Sequence, residues 1–218
     1  MHETTAIPQE PLGFDAEGPL SQLAADLRGR AEAIQASGGF PEGERSLAEV
    51  KALGDWWKGR WLPPSVHQLI SRPSDTKGAE HEVWYDRDRG RVVKATWPWS
   101  FGARADGAKA LPSEYFDRLQ AQNTLWGDDI VFEGIWEPHG QLRAVTSQPL
   151  VLGRPARPEE IDFYLTTCGF AKIGLEDACC AWLRADERVL ISGAHGGNMV
   201  ITPGGALVAL NVPVMVLP

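Results

Sequence analysis

Cysteine is scarce in this chain of 218 residues: three occur, Cys168, Cys179 and Cys180. An odd number, with two of them adjacent, argues against a disulfide framework. No Cys/His spacing has the form of a zinc site. Long apolar runs are missing as well. The chain starts Met1-His2-Glu3-Thr4, without a basic stretch leading into an apolar one. It therefore reads as neither a secretory leader nor a membrane span. Basic residues are outnumbered, 21 Lys and Arg against 29 Asp and Glu, for a net charge of −8. A chain of that sign lacks the basic face that displaces counterions from a nucleic-acid backbone.

What is present suits a packed domain. Hydrophobic residues make up 43% and charged residues 23%, which rules out wholesale disorder. Nine tryptophans are many for this length, grouped at Trp56, Trp57 and Trp61 and at Trp97 and Trp99. Indoles bury large areas, so packing is their expected role, ahead of stacking on a ligand. Residues 1–18 read as a loose arm. Apolar spacing of three and four over residues 20–37 predicts a helix. Ser46-Leu47-Ala48-Glu49 has the form of a capping box opening a second helix that runs to about Lys58. A short third element follows Pro63-Pro64. From Gly78 the period changes: residues 82–85 and 91–96 read as a hairpin around Asp86–Gly90. A loop spans 97–110, a helix opens at Pro112-Ser113, and residues 130–136 and 142–148 are strands. After Pro149 come a helix from Pro158 to Cys168-Gly169, a strand or short helix at 179–184, and short strands at 189–191, 199–201 and 206–210. Residues 213–216 form a last strand.

The order of these pieces resembles the kinase-like fold, and more closely the serine/threonine/tyrosine kinase-like domains of bacterial and phage polyvalent proteins. The pieces that carry the resemblance are Gly78-Ala79-Glu80-His81-Glu82-Val83, Val92-Val93-Lys94-Ala95-Thr96, Glu114–Leu119, Thr146-Ser147-Gln148-Pro149 and the stretch from Gly193 to Asn211. The implied fold is α+β and two-lobed. Residues 1–75 would form an arm and helical extension, 76–148 a lobe with an antiparallel sheet, and 149–218 a small truncated second lobe. A cytoplasmic protein of bacterial, phage or mobile-element origin is implied.

The resemblance also assigns roles. Lys94 matches the strand lysine that reaches nucleotide phosphates. A buried lysine needs a carboxylate; Glu114 is the expected partner and Asp117 its rival. Gly78 opens the hairpin that would cover phosphates, although no second or third glycine follows and Glu80 and Glu82 add acids there. Backbone groups around Gln148, at residues 147–150, would read an adenine edge. His195 stands in the loop Gly193–Asn198, where it joins Lys94 and Glu114 as a catalytic candidate. Asn198 and Asn211 are the metal candidates. Gly193, Asn198 and Asn211 lie at intervals of five and thirteen, the intervals at which the aminoglycoside-phosphotransferase-like branch places Asp, Asn and Asp.

Two positions depart from that pattern. Gly193 has no side chain to orient an acceptor hydroxyl, and Asn211 is neutral where a carboxylate would bind Mg²⁺. A general base is worth about 10²–10⁴-fold in rate. Asp186 and Glu187 lie upstream as possible substitutes. The expectation is a kinase-like pseudoenzyme acting as a binding module, with ATP and Mg²⁺ as the ligands the resemblance implies. Two alternatives stand beside it: an active but atypical phosphotransferase using Lys94 and Asn198, and a nucleotide-independent interaction protein in defence or anti-defence. The acidic balance points to a basic protein partner.

Overall fold

A computed structural model describes residues 18–38, 44–102, 109–173 and 181–217. Residues 1–17 of the expected arm at 1–18, residues 103–108 of the expected loop at 97–110, and Cys179 and Cys180 lie outside the described residues. The chain is α+β, with every strand pairing antiparallel. The described residues divide into two compact units, one within 18–120 and 129–150, the other within 121–128 and 151–217. No helix among the described residues is long and apolar enough to cross a membrane.

The larger unit is built on a five-stranded sheet. Its strands are β1 (Thr76–Lys77), β2 (His81–Asp86), β3 (Arg91–Thr96), β4 (Val131–Trp136) and β5 (Arg143–Pro149), in the order β1-β2-β3-β5-β4. The strand carrying Lys94 is therefore central. Three helices precede the sheet: α1 (Pro19–Ala36), α2 (Arg45–Trp57) and α3 (Pro64–Ile70). Leu20, Leu23 and Leu27 of α1 and Leu53 of α2 share a core with Tyr115, Phe116 and Leu119 of α4 (Pro112–Trp126) and with Ile135 and Ala144 of the sheet. Val66 and Ile70 of α3 close the opposite side against Trp84, Val93 and Val145. The helices at 19–70 thus belong to the same compact unit as the sheet.

One capping expectation is corrected. Helix α2 begins at Arg45, and Glu44 caps it without a side-chain bond. Glu49 does not fold back on Ser46. It is fully buried, accepting the Ser113 backbone N–H at 2.9 Å and the Arg45 Nε–H at 3.0 Å. The Ser-x-x-Glu pattern was met by chance, because a tertiary partner outbid the local one.

The tryptophans divide. Trp84 and Trp182 are core residues, and Trp56 and Trp57 stack at 5.9 Å. Trp97 donates its indole N–H to the Gly78 and Ala79 carbonyls. Trp61 and Trp99 are exposed, by 88% and 51%.

The smaller unit holds the end of α4, the helix α5 (Pro158–Thr167) and two small sheets. One sheet joins β6 (Arg154–Pro155), β10 (Met199–Ile201) and β11 (Leu207–Ala209) in the order β11-β10-β6. The other joins β7 (Ala171–Ile173), β8 (Ala181–Arg184), β9 (Val189–Ile191) and β12 (Val214–Val216) in the order β12-β9-β8-β7. Leu125, Ile161, Leu165, Trp182, Ile191, Met199 and Val214 make its core.

His81 on β2 is buried, and its Nε2 meets the Tyr115 hydroxyl at 3.0 Å. Burial, reinforced by the positive charges of Lys94, Arg118 and Arg143, holds its imidazole well below the usual histidine range. The unfolded chain therefore binds a proton first as pH falls. The stability tied to neutral His81 is whole above about pH 6.5 and drains away as pH drops from there toward the depressed folded value. Each pH unit of depression is worth about 1.4 kcal/mol. Urea midpoints taken from pH 8 to pH 5 should fall more steeply for the wild type than for His81→Gln. Parallel slopes would contradict this.

Candidate functional site

Lys94 lies on β3 opposite Thr146 of β5, while Val92 lies opposite Gln148. Lys94 and Gln148 are thus diagonal neighbours on one face of the sheet, within reach of long side chains. Lys94 Nζ donates to Gln148 Oε1 at 2.8 Å. The Gln148 backbone is part of the β3–β5 ladder, and the Leu150 N–H goes to the Gly90 carbonyl at 2.8 Å. Pro149 has no N–H. The segment expected to read an adenine edge therefore spends several of its backbone groups inside the sheet.

Gly78 sits in the tight β1–β2 turn, where its N–H donates to the His81 carbonyl at 2.8 Å. The Trp97 indole covers the carbonyls of Gly78 and Ala79. Both nearby acids are paired. Glu80 receives Arg118 at 2.7 Å and 3.1 Å, and Glu82 receives Arg143 at 2.7 Å and Lys77 at 3.1 Å. Burial works against the Glu82 charge, but the bonds from Arg143 and Lys77 hold its carboxyl below the ordinary glutamate range. The turn is closed on the protein's own groups.

Glu114 opens α4, and its Oε2 accepts the Leu111 N–H at 2.8 Å, a bond back across the first turn. Asp117 pairs with Arg28 of α1 at 2.6 Å.

The smaller unit brings Gly193, Asn198 and Asn211 into one loop cluster. Met199 pairs with Ala209 across the β10–β11 hairpin, and the Leu210 N–H donates to the Asn198 carbonyl at 2.7 Å. Asn211 follows at once. Asn198 Nδ2 donates to the Gly193 carbonyl at 2.9 Å, which ties the loop shut and fixes the amide's orientation. The hydrogen bonds given for the Asn198 side chain among the described residues all run through Nδ2. Gly193 has a φ of +65°, a left-handed conformation that glycine adopts without strain.

His195 is exposed, and its Nδ1 accepts the Gly197 N–H at 3.0 Å. A neutral ring bonded that way carries its proton on Nε2. Nε2 lies 3.3 Å from Asn198 Nδ2, so two donors face each other and that contact is not a hydrogen bond in this tautomer. His195 supports the loop through Gly197.

Asp186 and Glu187 form the β8–β9 turn, where Glu187 pairs with Arg184 at 2.6 Å. The three residues of β9, roughly 10 Å of strand, separate that turn from the Gly193 loop. Neither acid stands in for the missing carboxylates.

Residues 49–212 match the family model of a serine/threonine/tyrosine kinase found in polyvalent proteins. That range covers three quarters of the chain. The chain belongs to this kinase family. A search of the curated proteins and one of the solved structures each found no match.

The polyvalent-protein kinase match spans Lys94, Glu114, Gln148, Gly193, Asn198 and Asn211, and leaves α1 outside it. Kinases in general use ATP with Mg²⁺, a hard cation that is bound through one or two carboxylates together with substrate phosphates. In this kinase domain the two residues expected at a metal, Asn198 and Asn211, carry neutral amides. Among the described residues no group of three or more His, Cys, Asp or Glu comes together. The donor set does not fit Mg²⁺. Sequence reasoning missed three contacts of this kinase domain: Glu49 on the α4 N-terminus, Arg118 on Glu80, and the Gln148 side chain on Lys94. All three are long-range pairings that only the strand register and helix placement reveal.

Proposed function

We propose that this kinase-family domain is a pseudoenzyme that serves as a binding module. The observation that carries the proposal is the chemistry at residues 193 and 211. Phosphoryl transfer needs a positioned acceptor and neutralised charge at the phosphates. Position 193 offers no side chain and position 211 offers a neutral amide, while Glu187 of the β8–β9 turn is paired with Arg184. Each unit is nonetheless tightly bonded within itself: in the smaller one Asn198 locks the Gly193 loop, and in the larger one Lys94 is held on a central strand. A scaffold kept in order without its acidic groups suits recognition better than turnover. Nucleotide binding, on this reading, is weak and independent of Mg²⁺. The partner is a protein with a basic surface, matched to the chain's net charge of −8.

Thermal shift with ADP and ATP, each with Mg²⁺ and with EDTA, tests the ligand half. The expected result is the same melting temperature with and without the metal. Incubation with γ-³²P-ATP and a mixed-protein substrate tests the other half, with transfer expected at the level of the protein-free control. Metal-dependent labelling of the chain itself or of a substrate, lost in Lys94→Ala, would overturn the proposal in favour of an atypical phosphotransferase.

A further inference from the structure

Helix α4 is held from several directions by elements that precede the sheet. At its N-terminus, Pro112 has no N–H, the Leu111 N–H goes to Glu114, and the Ser113 N–H goes to Glu49 of α2. The first N–H groups of any helix lack partners within it, and they favour negative charge. Glu49 supplies both an acceptor and a charge. Its carboxylate is completely buried, with one oxygen on Ser113 and the other on Arg45. A buried carboxylate with two fixed partners has one geometry, so it sets where the helix starts.

One turn further on, Arg28 of α1 meets Asp117 at 2.6 Å. Leu20, Leu23 and Leu27 of α1 lie in one core with Tyr115, Phe116 and Leu119. The start of α1 is pressed against the same helix: a Cβ on Gly18 would collide with the Gln120 amide. Helix α1 lies wholly outside the span that matches the kinase family, and Glu49 is its first residue.

We infer that the α1–α2 extension is an intramolecular positioning element for α4, acting chiefly through the Glu49 carboxylate on the Ser113 N–H. Helix α4 carries Glu114 and Tyr115, so its placement sets the surroundings of His81. The inference stands whether or not the domain transfers phosphate.

Hydrogen exchange on the full chain tests it, because local opening and global unfolding separate in that measurement. In Glu49→Gln the amides of residues 113–119 should exchange at least ~10-fold faster, while those of β2, β3 and β5 stay within about twofold of wild type. Arg28→Ala, at a partly exposed pair, should loosen the same residues by about two- to threefold. Unchanged exchange in α4 of Glu49→Gln overturns the inference. Equal acceleration across the five-stranded sheet does so too, since it marks a merely structural residue. Should Glu49→Gln fail to fold, the exchanged pair Arg28→Asp/Asp117→Arg decides. Recovery of α4 protection beyond either single change supports the inference, and no recovery overturns it.

Discussion

The double variant Gly193→Asp/Asn211→Asp should gain saturable Mg²⁺ binding, with none expected for the wild-type chain. Both substitutions fall in the cluster around Asn198, whose Nδ2 is bonded to the Gly193 carbonyl. Asn211→Asp is isosteric and replaces a neutral oxygen with a charged one. Gly193→Asp has room. A Cβ there would lie 3.4 Å from Asn198 Nδ2 and 3.7 Å from Pro213 Cδ, close to ordinary contact. Its cost is the left-handed backbone at φ +65°, about 1 kcal/mol for a residue type that tolerates this region better than most. Ligand charge count tunes divalent-cation affinity over orders of magnitude, so two added carboxylates should tighten Mg²⁺ by about 10²-fold. At a metal concentration 100 times the dissociation constant, binding stabilises the fold by about 2.7 kcal/mol. In a chain of this size that raises the melting temperature by about 5–10 °C. The wild type and Asn211→Asp alone bracket the result, with no shift and a smaller one. A wild type that already shows the full Mg²⁺ shift would mean that the neutral amides suffice. The pseudoenzyme reading would then lose its footing.

The hairpin around Asp86–Gly90, the strands flanking Pro138-His139-Gly140 and the helix from Pro112 were legible because local signals agree there. β-branched runs, turn residues and a proline start all point one way. The family was legible for a different reason: several short pieces, from the Gly78 turn to the stretch Gly193–Asn211, follow one another in a kinase-like order, and all lie within the matched residues 49–212. What could not be read were the partners chosen across sequence distance. Glu49 stands three residues after Ser46, and local rules send it to its own helix start. The fold sends it 64 residues away to Ser113, one of the first N–H groups of α4, which lack acceptors within their own helix. Gln148 looked like a residue of a backbone reader. Its side chain meets Lys94 only because Val92 and Gln148 share a register, and register follows from the whole sheet. Trp61, in turn, was read with the packed tryptophans and lies almost fully in solvent, since nothing in its neighbours tells one indole from the next.

Gly134→Ala should destabilise the chain more than any comparably small change in its sheet. Gly134 lies at the irregularity in the β4–β5 pairing, buried, with a φ of +143°. That conformation is nearly closed to any other residue and is worth about 1–3 kcal/mol of strain. Space is the second obstacle. A Cβ would run into the Trp57 ring and come within 2.9 Å of Leu62 Cδ2. Trp57 has little room to yield, because Trp56 stacks on it at 5.9 Å and Phe132 meets it edge-on at 5.8 Å. Overpacking of this kind costs a further 1–3 kcal/mol, roughly. The sum is on the order of 4 kcal/mol, a large part of the total stability of an ordinary domain. It corresponds to a fall of about 10 °C in melting temperature for this length. The two components separate in a second variant. Gly134→Ala combined with Trp57→Leu relieves the collision and leaves the backbone strain, so its loss relative to Trp57→Leu alone should be about half as large. A loss under about 1 kcal/mol in the single variant, by urea or thermal melting, would show that the bulge and the indole are not locked together.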